Sequence, residues 1–193
     1  MKNKNIFDKK YFELTGCIHN HTTYSFDGDV KLNKILKAAK NNELDYLTIN
    51  DHHTKEAQND EAVTNENDLI VIVGVEVNDP DKNNHFLVFN SDEIIKGKKV
   101  EEYTSKYAET DAICFAAHPF EKRSSKQFRK YIWTDIKNDN FDGIEIWNYL
   151  SEWIGKLNPK LNGIFFVLFP SLFIKHPPRE TLNYWDELNN VGK

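Results

Sequence analysis

The sequence predicts a mixed α/β fold. Strand-like apolar runs alternate with runs whose apolar residues recur at helical spacing. One run, Leu69–Val77, is apolar on both faces, as a strand covered by helices on each side must be. With 193 residues, the chain is long enough for one domain with its own core and short for two of ordinary size.

The elements follow in order. Gly16–His21 reads as a strand, and Leu32, Ile35, Leu36 and Ala39 place an apolar stripe on the helix after it. Asn41 and Asn42 are suited to end that helix, since asparagine tolerates the left-handed cap conformation. Tyr46–Asn50 is the next strand. Lys55–Asn67, polar and acidic, reads as a mobile loop or weak helix. After Leu69–Val77 the seven residues from Asn78 to Asn84 are too few for a parallel crossover, so His85–Phe89 is expected to run antiparallel to its predecessor. Val100, Tyr103, Tyr107 and Ala108 mark a helix, and Ala112–His118 a strand stopped by Pro119. Ser124 and Ser125 offer caps for a helix carrying Phe128, Ile132 and Ile136. Asp142–Trp147 is a further strand. Pro177 and Pro178 open a last helix with Leu182, Trp185 and Leu188 on its apolar face and Gly192 just past its end.

Composition narrows the function. Apolar residues make up 39% and aromatics 13%, too much for a disordered chain. Lys and Arg total 25 against 30 Asp and Glu, a net charge of -5 that argues against a nucleic-acid partner. Two distant cysteines, Cys17 and Cys114, fit no redox or metal spacing. Both read as packed core residues of a protein in a reducing cytoplasm. The N-terminus lacks the apolar run of a secretory signal. The stretch Gly163–Ile174 is too short to span a bilayer and is interrupted by Pro170, so no membrane partner is expected. Its phenylalanines, Phe165, Phe166, Phe169 and Phe173, read as core or as a covering helix.

Histidines carry the chemical signal. Five of seven stand at strand ends or at the proposed hairpin turn: His19, His21, His52, His85 and His118. On a strand, residues i and i+2 share a face, so His19 and His21 present two imidazoles to one ion. Asp27 lies in the loop entering the first helix and could add an oxygen. Asp51 and His52 close the second strand, where a β/α protein builds its active site. Glu76 ends an otherwise apolar strand and needs a cationic partner. Mixed imidazole and carboxylate donors suit Zn, Mn or Fe. Lys122 and Arg123 follow His118 closely enough to meet an anionic substrate, and Asn148 lies just past the strand bearing Glu145.

These pieces resemble the PHP superfamily, named for polymerase and histidinol phosphatase. The resemblance runs through Gly16-Cys-Ile-His-Asn-His-Thr-Thr-Tyr-Ser-Phe-Asp-Gly28, Leu47-Thr-Ile-Asn-Asp-His-His-Thr54, Val73-Gly-Val-Glu76, His85-Phe-Leu87, Ala117-His-Pro119 and Gly143-Ile-Glu-Ile-Trp-Asn148. It implies a distorted seven-stranded (β/α) barrel with two or three divalent ions at the carboxyl ends of its strands. His19 and His21 would hold the first ion, Glu76 would bridge to a second held by His85 and His118, and Asp27 with His52 would serve a third. Phe26 stands between Ser25 and Asp27 where the family runs Ser-Asp-Gly. The family's closing strand, with Ser-Asp-x-His, has no counterpart here, so a single domain open at its last strand is expected, with partial metal loading and possible self-association at the open edge. The implied activity is hydrolysis of a small phosphate ester by metal-activated water, with Asp51 or His52 orienting water or protonating the leaving oxygen and Lys122, Arg123 and Asn148 meeting substrate. A carboxyl-ester hydrolase, an exonuclease-like module and a degenerate metal-binding or interaction module are the alternatives.

Overall fold

The class is mixed α/β, and the expected order of strands and helices is kept broadly from residue 16 to residue 116. The structure, a computed structural model, describes residues 2–6, 9–137, 140–160 and 162–192. It divides into two units, Met1–Val77 with Leu87–Ile94, and Asn78–Phe86 with Ile95–Lys193.

The first unit opens with an antiparallel pair that sequence pattern did not signal, β1 (Lys2–Ile6) and β2 (Lys9–Glu13), in register from Lys2 opposite Glu13 to Ile6 opposite Lys9. Then β3 (Gly16–Asn20) pairs in parallel with β4 (Tyr46–Ile49) after the crossover helix α1 (Leu32–Asn41). Leu32, Leu36 and Ala39 from α1 bury against Leu47 and Ile49 of β4 and against Leu69. Each of these leucine and isoleucine side chains contributes about 1.5–3 kcal/mol when fully buried. The helix ends at the expected asparagines, but the left-handed residue is Glu43, with φ 54°, while Asn42 keeps a negative φ. The acidic stretch forms only a short 3-10 turn and α2 (Glu61–Thr64), capped by the Asp60 carboxylate on the Ala62 N–H at 2.8 Å.

The run expected as one buried strand is two. β5 (Ile70–Val73) pairs in parallel with β4, Gly74 interrupts, and β6 (Val75–Val77) continues separately. Ile70 and Ile72 are more than two-fifths exposed, whereas all three residues of β6 are buried. β5 therefore has one open face, and the sequence run overstated its burial. Gly74 marks the break because a Cβ there would stand 2.6 Å from the Val88 carbonyl oxygen, on β7 (Phe86–Phe89).

In the second unit residues 78–84 form the expected turn, with Asp79 accepting from the Asn83 N–H at 2.8 Å and from Asn84 Nδ2 at 2.5 Å. α3 (Val100–Ala108) buries Val100, Tyr103 and Tyr107, and Phe86 packs on Tyr103, Tyr107 and Trp133. β8 (Ile113–Ala116) pairs in parallel with β9 (Gly143–Ile144), which is only a fragment of the strand expected over Asp142–Trp147. The helix expected around Phe128, Ile132 and Ile136 is absent. Its backbone is claimed sideways: the N–H of Tyr131 by Glu121 at 2.6 Å, of Ile132 by Asn83 at 3.3 Å, and of Thr134 by Asn84 at 2.7 Å. Tertiary partners for these donors override a weak local preference.

α4 (Tyr149–Lys156) was not anticipated; Asn148 caps it by accepting the Ser151 N–H at 2.8 Å. α5 (Gly163–Leu168) sets Phe166 into a small cluster with Leu157 and Ile174. α6 (Arg179–Asn190) follows Pro177 and Pro178 as expected, burying Leu188 but leaving Trp185 largely exposed. Among the described residues no closed barrel is present, and no helix is long and apolar enough to cross a membrane.

Candidate metal centre

The first unit gathers five of the sequence-selected residues. Glu76, in β6, is fully buried, and its Oε2 lies 3.0 Å from His19 Nε2, 3.0 Å from His21 Nε2 and 3.4 Å from His52 Nε2. The two nitrogens of His19 and His21 are 3.1 Å apart. Asp27 adds its carboxylate from the other side, Oδ2 at 3.3 Å from His52 Nε2 and Oδ1 at 3.3 Å from His21 Nδ1.

His19 and His21 do meet, but not by strand alternation. His19 has φ 63°, and the register between β3 and β4 shifts between Cys17 and Asn20. This irregularity turns the imidazole toward Glu76, as bulges next to functional sites do. Cys17, just before this kink, is exposed rather than in the core, its thiol 3.4 Å from Asn20 Oδ1, whereas Cys114 is buried as expected. The kinked N–H of His19 donates to Thr48 Oγ1 at 3.0 Å, which donates to Asn50 Oδ1 at 2.8 Å.

The loop after β3 is fixed by groups the sequence reading passed over. Ser25 Oγ donates to Asp27 Oδ1 at 2.5 Å, accepts the His52 N–H at 3.1 Å and lies 3.3 Å from His21 Nδ1. Gly28 closes this turn because a Cβ would fall 1.9 Å from the Thr22 carbonyl oxygen. The signal available was a serine two residues before an acid in a tight Gly-ended loop. Phe26, the extra residue of that loop, is mostly exposed and stacks on the His52 ring with centroids 4.8 Å apart. Asp51, nominated as a proton carrier, is spent on the loop: its two oxygens accept the Thr22 N–H at 2.6 Å and Thr22 Oγ1 at 2.8 Å.

Electrostatics follow from this packing. Burial works to lower the His21 pKa, but hydrogen bonding to Asp27 and Glu76 outweighs it and lifts the value to about 9. Burial works to raise Asp27, yet His21, His52 and Ser25 hold it well below the usual carboxylate range.

The donor set fits a divalent ion. Donor atoms about 2.1 Å from one cation stand about 3.0 Å apart in octahedral and about 3.4 Å apart in tetrahedral coordination. The triangle of His19 Nε2, His21 Nε2 and Glu76 Oε2 has edges of 3.0, 3.0 and 3.1 Å. If both nitrogens carried protons toward Glu76, two N–H groups would face one another at that separation, and a cation removes the conflict. Ser25 and Asp27 hold the far nitrogen of His21, which is how outer-shell groups orient a ligating imidazole.

In the second unit His85 and His118 bring their rings within 5.1 Å of each other, and His118 has φ 30°. Glu145 accepts the His118 N–H at 2.8 Å and Asn148 Nδ2 at 3.0 Å, so Asn148 braces Glu145 as well as capping α4. Arg123 is not open to a substrate: Nε donates to the Arg129 carbonyl, Nη1 to those of Lys122 and Ser151, and Nη2 to the Glu121 carboxylate. Lys122 is exposed and donates to Glu180 Oε1 at 2.6 Å. His118, Lys122, Glu145 and Asn148 line one small cleft of this unit.

Residues 18–110 match the family described as PHP domain. The fold resembles a crystal structure of a presumed metal-dependent phosphoesterase from Bifidobacterium adolescentis, with a TM-score of 0.54 at 13% identity, over 93% of this chain and 99% of that one. No curated protein matches the chain.

Proposed function

We propose that this chain, whose residues 18–110 match the PHP domain, is a metal-dependent hydrolase of the PHP superfamily, and specifically a phosphoesterase acting on a small phosphate ester. The carrying observation is the convergence of three imidazole nitrogens on one oxygen of the buried Glu76 carboxylate. The phosphoester class is supported by the character attributed to the structural neighbour. The distorted seven-stranded barrel and a single domain organised around it belong to the same proposal.

In this reading His19, His21 and Glu76 hold one divalent ion, with Asp27 and His52 available to another, and His85 and His118 are ligands on the second unit. Imidazole and carboxylate together suit Mn, Zn or Fe. Bound ions of this kind supply Lewis acidity, giving a water that ionises near neutral pH and offsetting charge on the ester oxygens. The chain's own groups do the rest. Ser25 and Asp27 fix the His21 ring, and Thr48 with Asn50 fixes the turn at His19. Asp51 anchors Thr22 and so holds the loop that carries Asp27. His52, buried with Phe26 stacked on its ring, would help to orient water beside Asp27.

Full-length protein loaded with manganese or zinc and offered phosphate esters and carboxyl esters tests this. Phosphate release that disappears with chelator and in Glu76→Gln is expected. Loaded protein that cleaves only carboxyl esters, or neither class, sinks the phosphoesterase assignment.

A further inference from the structure

Residues 153–179 contain four Lys or Arg and no Asp or Glu, in a chain whose net charge is -5. Within this stretch Ile164, Phe165, Val167, Leu168, Phe169 and Leu172 are each more than half exposed. Phe166 is the one residue of α5 that is buried, packed on Trp153 and Phe173 with centroids 5.8 and 4.9 Å away. A helix apolar all round is ordinarily enclosed, and a continuous exposed apolar patch marks an interaction surface. The expectation of a core or covering helix thus holds for Phe166 alone.

What covers this patch is indicated by its charge. Lys160 precedes it and Lys175 and Arg179 follow it, all exposed, while the acids nearest in sequence are Glu152 and Glu180. Glu152 is already paired with Lys156 at 2.7 Å, and Glu180 with Lys122 at 2.6 Å. A twofold contact between two copies would gather these cations together with no acid of the stretch to meet them. An anionic lipid surface instead meets apolar side chains with acyl chains and lysines with headgroups.

We propose that α5 and the 3-10 turn Pro170–Leu172 form an interfacial docking element for anionic membranes, lying in the headgroup layer without crossing it. This inference is independent of the hydrolase assignment.

Sedimentation of the full chain with phosphatidylcholine vesicles, with and without phosphatidylglycerol, decides the matter. Binding is expected only with the anionic lipid, and it should weaken as salt rises. Lys160→Gln and Lys175→Gln should each weaken it about fivefold, and the double variant Phe165→Ser/Leu168→Ser should abolish it while circular dichroism stays unchanged. Equal binding to neutral vesicles overturns the proposal. So does failure to bind anionic vesicles, in which case a dimer dissociated by Phe165→Ser assigns the patch to a second copy.

Discussion

The two units hold buried carboxylates in opposite company. Glu76 in the first unit is surrounded by imidazole nitrogens of His19, His21 and His52. Glu121 in the second accepts the Tyr131 N–H at 2.6 Å, the Ser151 hydroxyl at 2.6 Å and the Arg123 guanidinium. Residue type and burial are alike, and the difference lies in what satisfies the charge. Fixed donors and a guanidinium make a carboxylate part of the scaffold. Imidazoles, whose nitrogens can present lone pairs, make it part of a cation site.

That contrast is broken most severely by exchanging each acid for its amide. Glu76→Gln should lower hydrolytic activity by about a hundredfold or more, since loss of even an outer-shell group costs 10–100-fold in metal affinity or activity. Glu121→Gln should leave the metal content of the first unit unchanged but destabilise the fold by about 3 kcal/mol, because it strips a buried guanidinium of its counter-charge. Metal analysis alongside thermal unfolding separates the two. If Glu121→Gln lost metal while Glu76→Gln kept it, the distinction between scaffold and site would be wrong.

The Glu76 half of this contrast was legible in the sequence, and the reason is local, whereas Glu121 gave no signal. His19, His21, His52 and Glu76 sit at the ends of apolar runs, where a titratable residue stands out. Helices α1, α3 and α6 carried clear periodicity, and α1 and α6 recognisable end signals as well. What the sequence could not convey was long-range hydrogen bonding. The segment around Ile132 has helical spacing but loses its backbone donors to Asn83, Asn84 and Glu121. The run at Leu69–Val77 reads as one strand because nothing local announces that Val88 crowds Gly74. The same holds for function: Asp51 and Arg123 have the right chemistry for substrate work, and only their partners show that Thr22 and Glu121 already occupy them.

Acidity sharpens the first unit's side of the contrast. In metal-free protein the folded-state pKa of His21 is about 9, above its ordinary 6.5. Its pairing therefore contributes stability that is complete below pH 6.5 and lost as pH rises through about 9. Asp27 is depressed from an ordinary value of 3.8, so its share is present above that value and lost as pH falls toward the folded one. With chelator present, the melting temperature should fall as pH is raised from 6.5 to 9, and Asp27→Asn should flatten that slope. At neutral pH a cation entering the site must displace the His21 proton, so calorimetric titration with metal should show proton uptake by buffer. A melting temperature insensitive to pH over that range, together with no proton release, would detach His21 from the ligand set.

The two thiols give the mildest version of the same contrast, because neither touches the proposed ligands. Cys17 is exposed on β3, two residues before the kinked His19, whereas Cys114 lies buried in β8, where burial first and the Asp142 charge second push its pKa up to about 12. Thiolate is the reactive form. Iodoacetamide at mildly alkaline pH should therefore add one label per folded chain, at Cys17, and a second only after denaturation, as intact mass will show. If the folded chain took two labels or none, the contrast between the exposed β3 and the buried β8 would fail, and the test needs neither metal nor substrate.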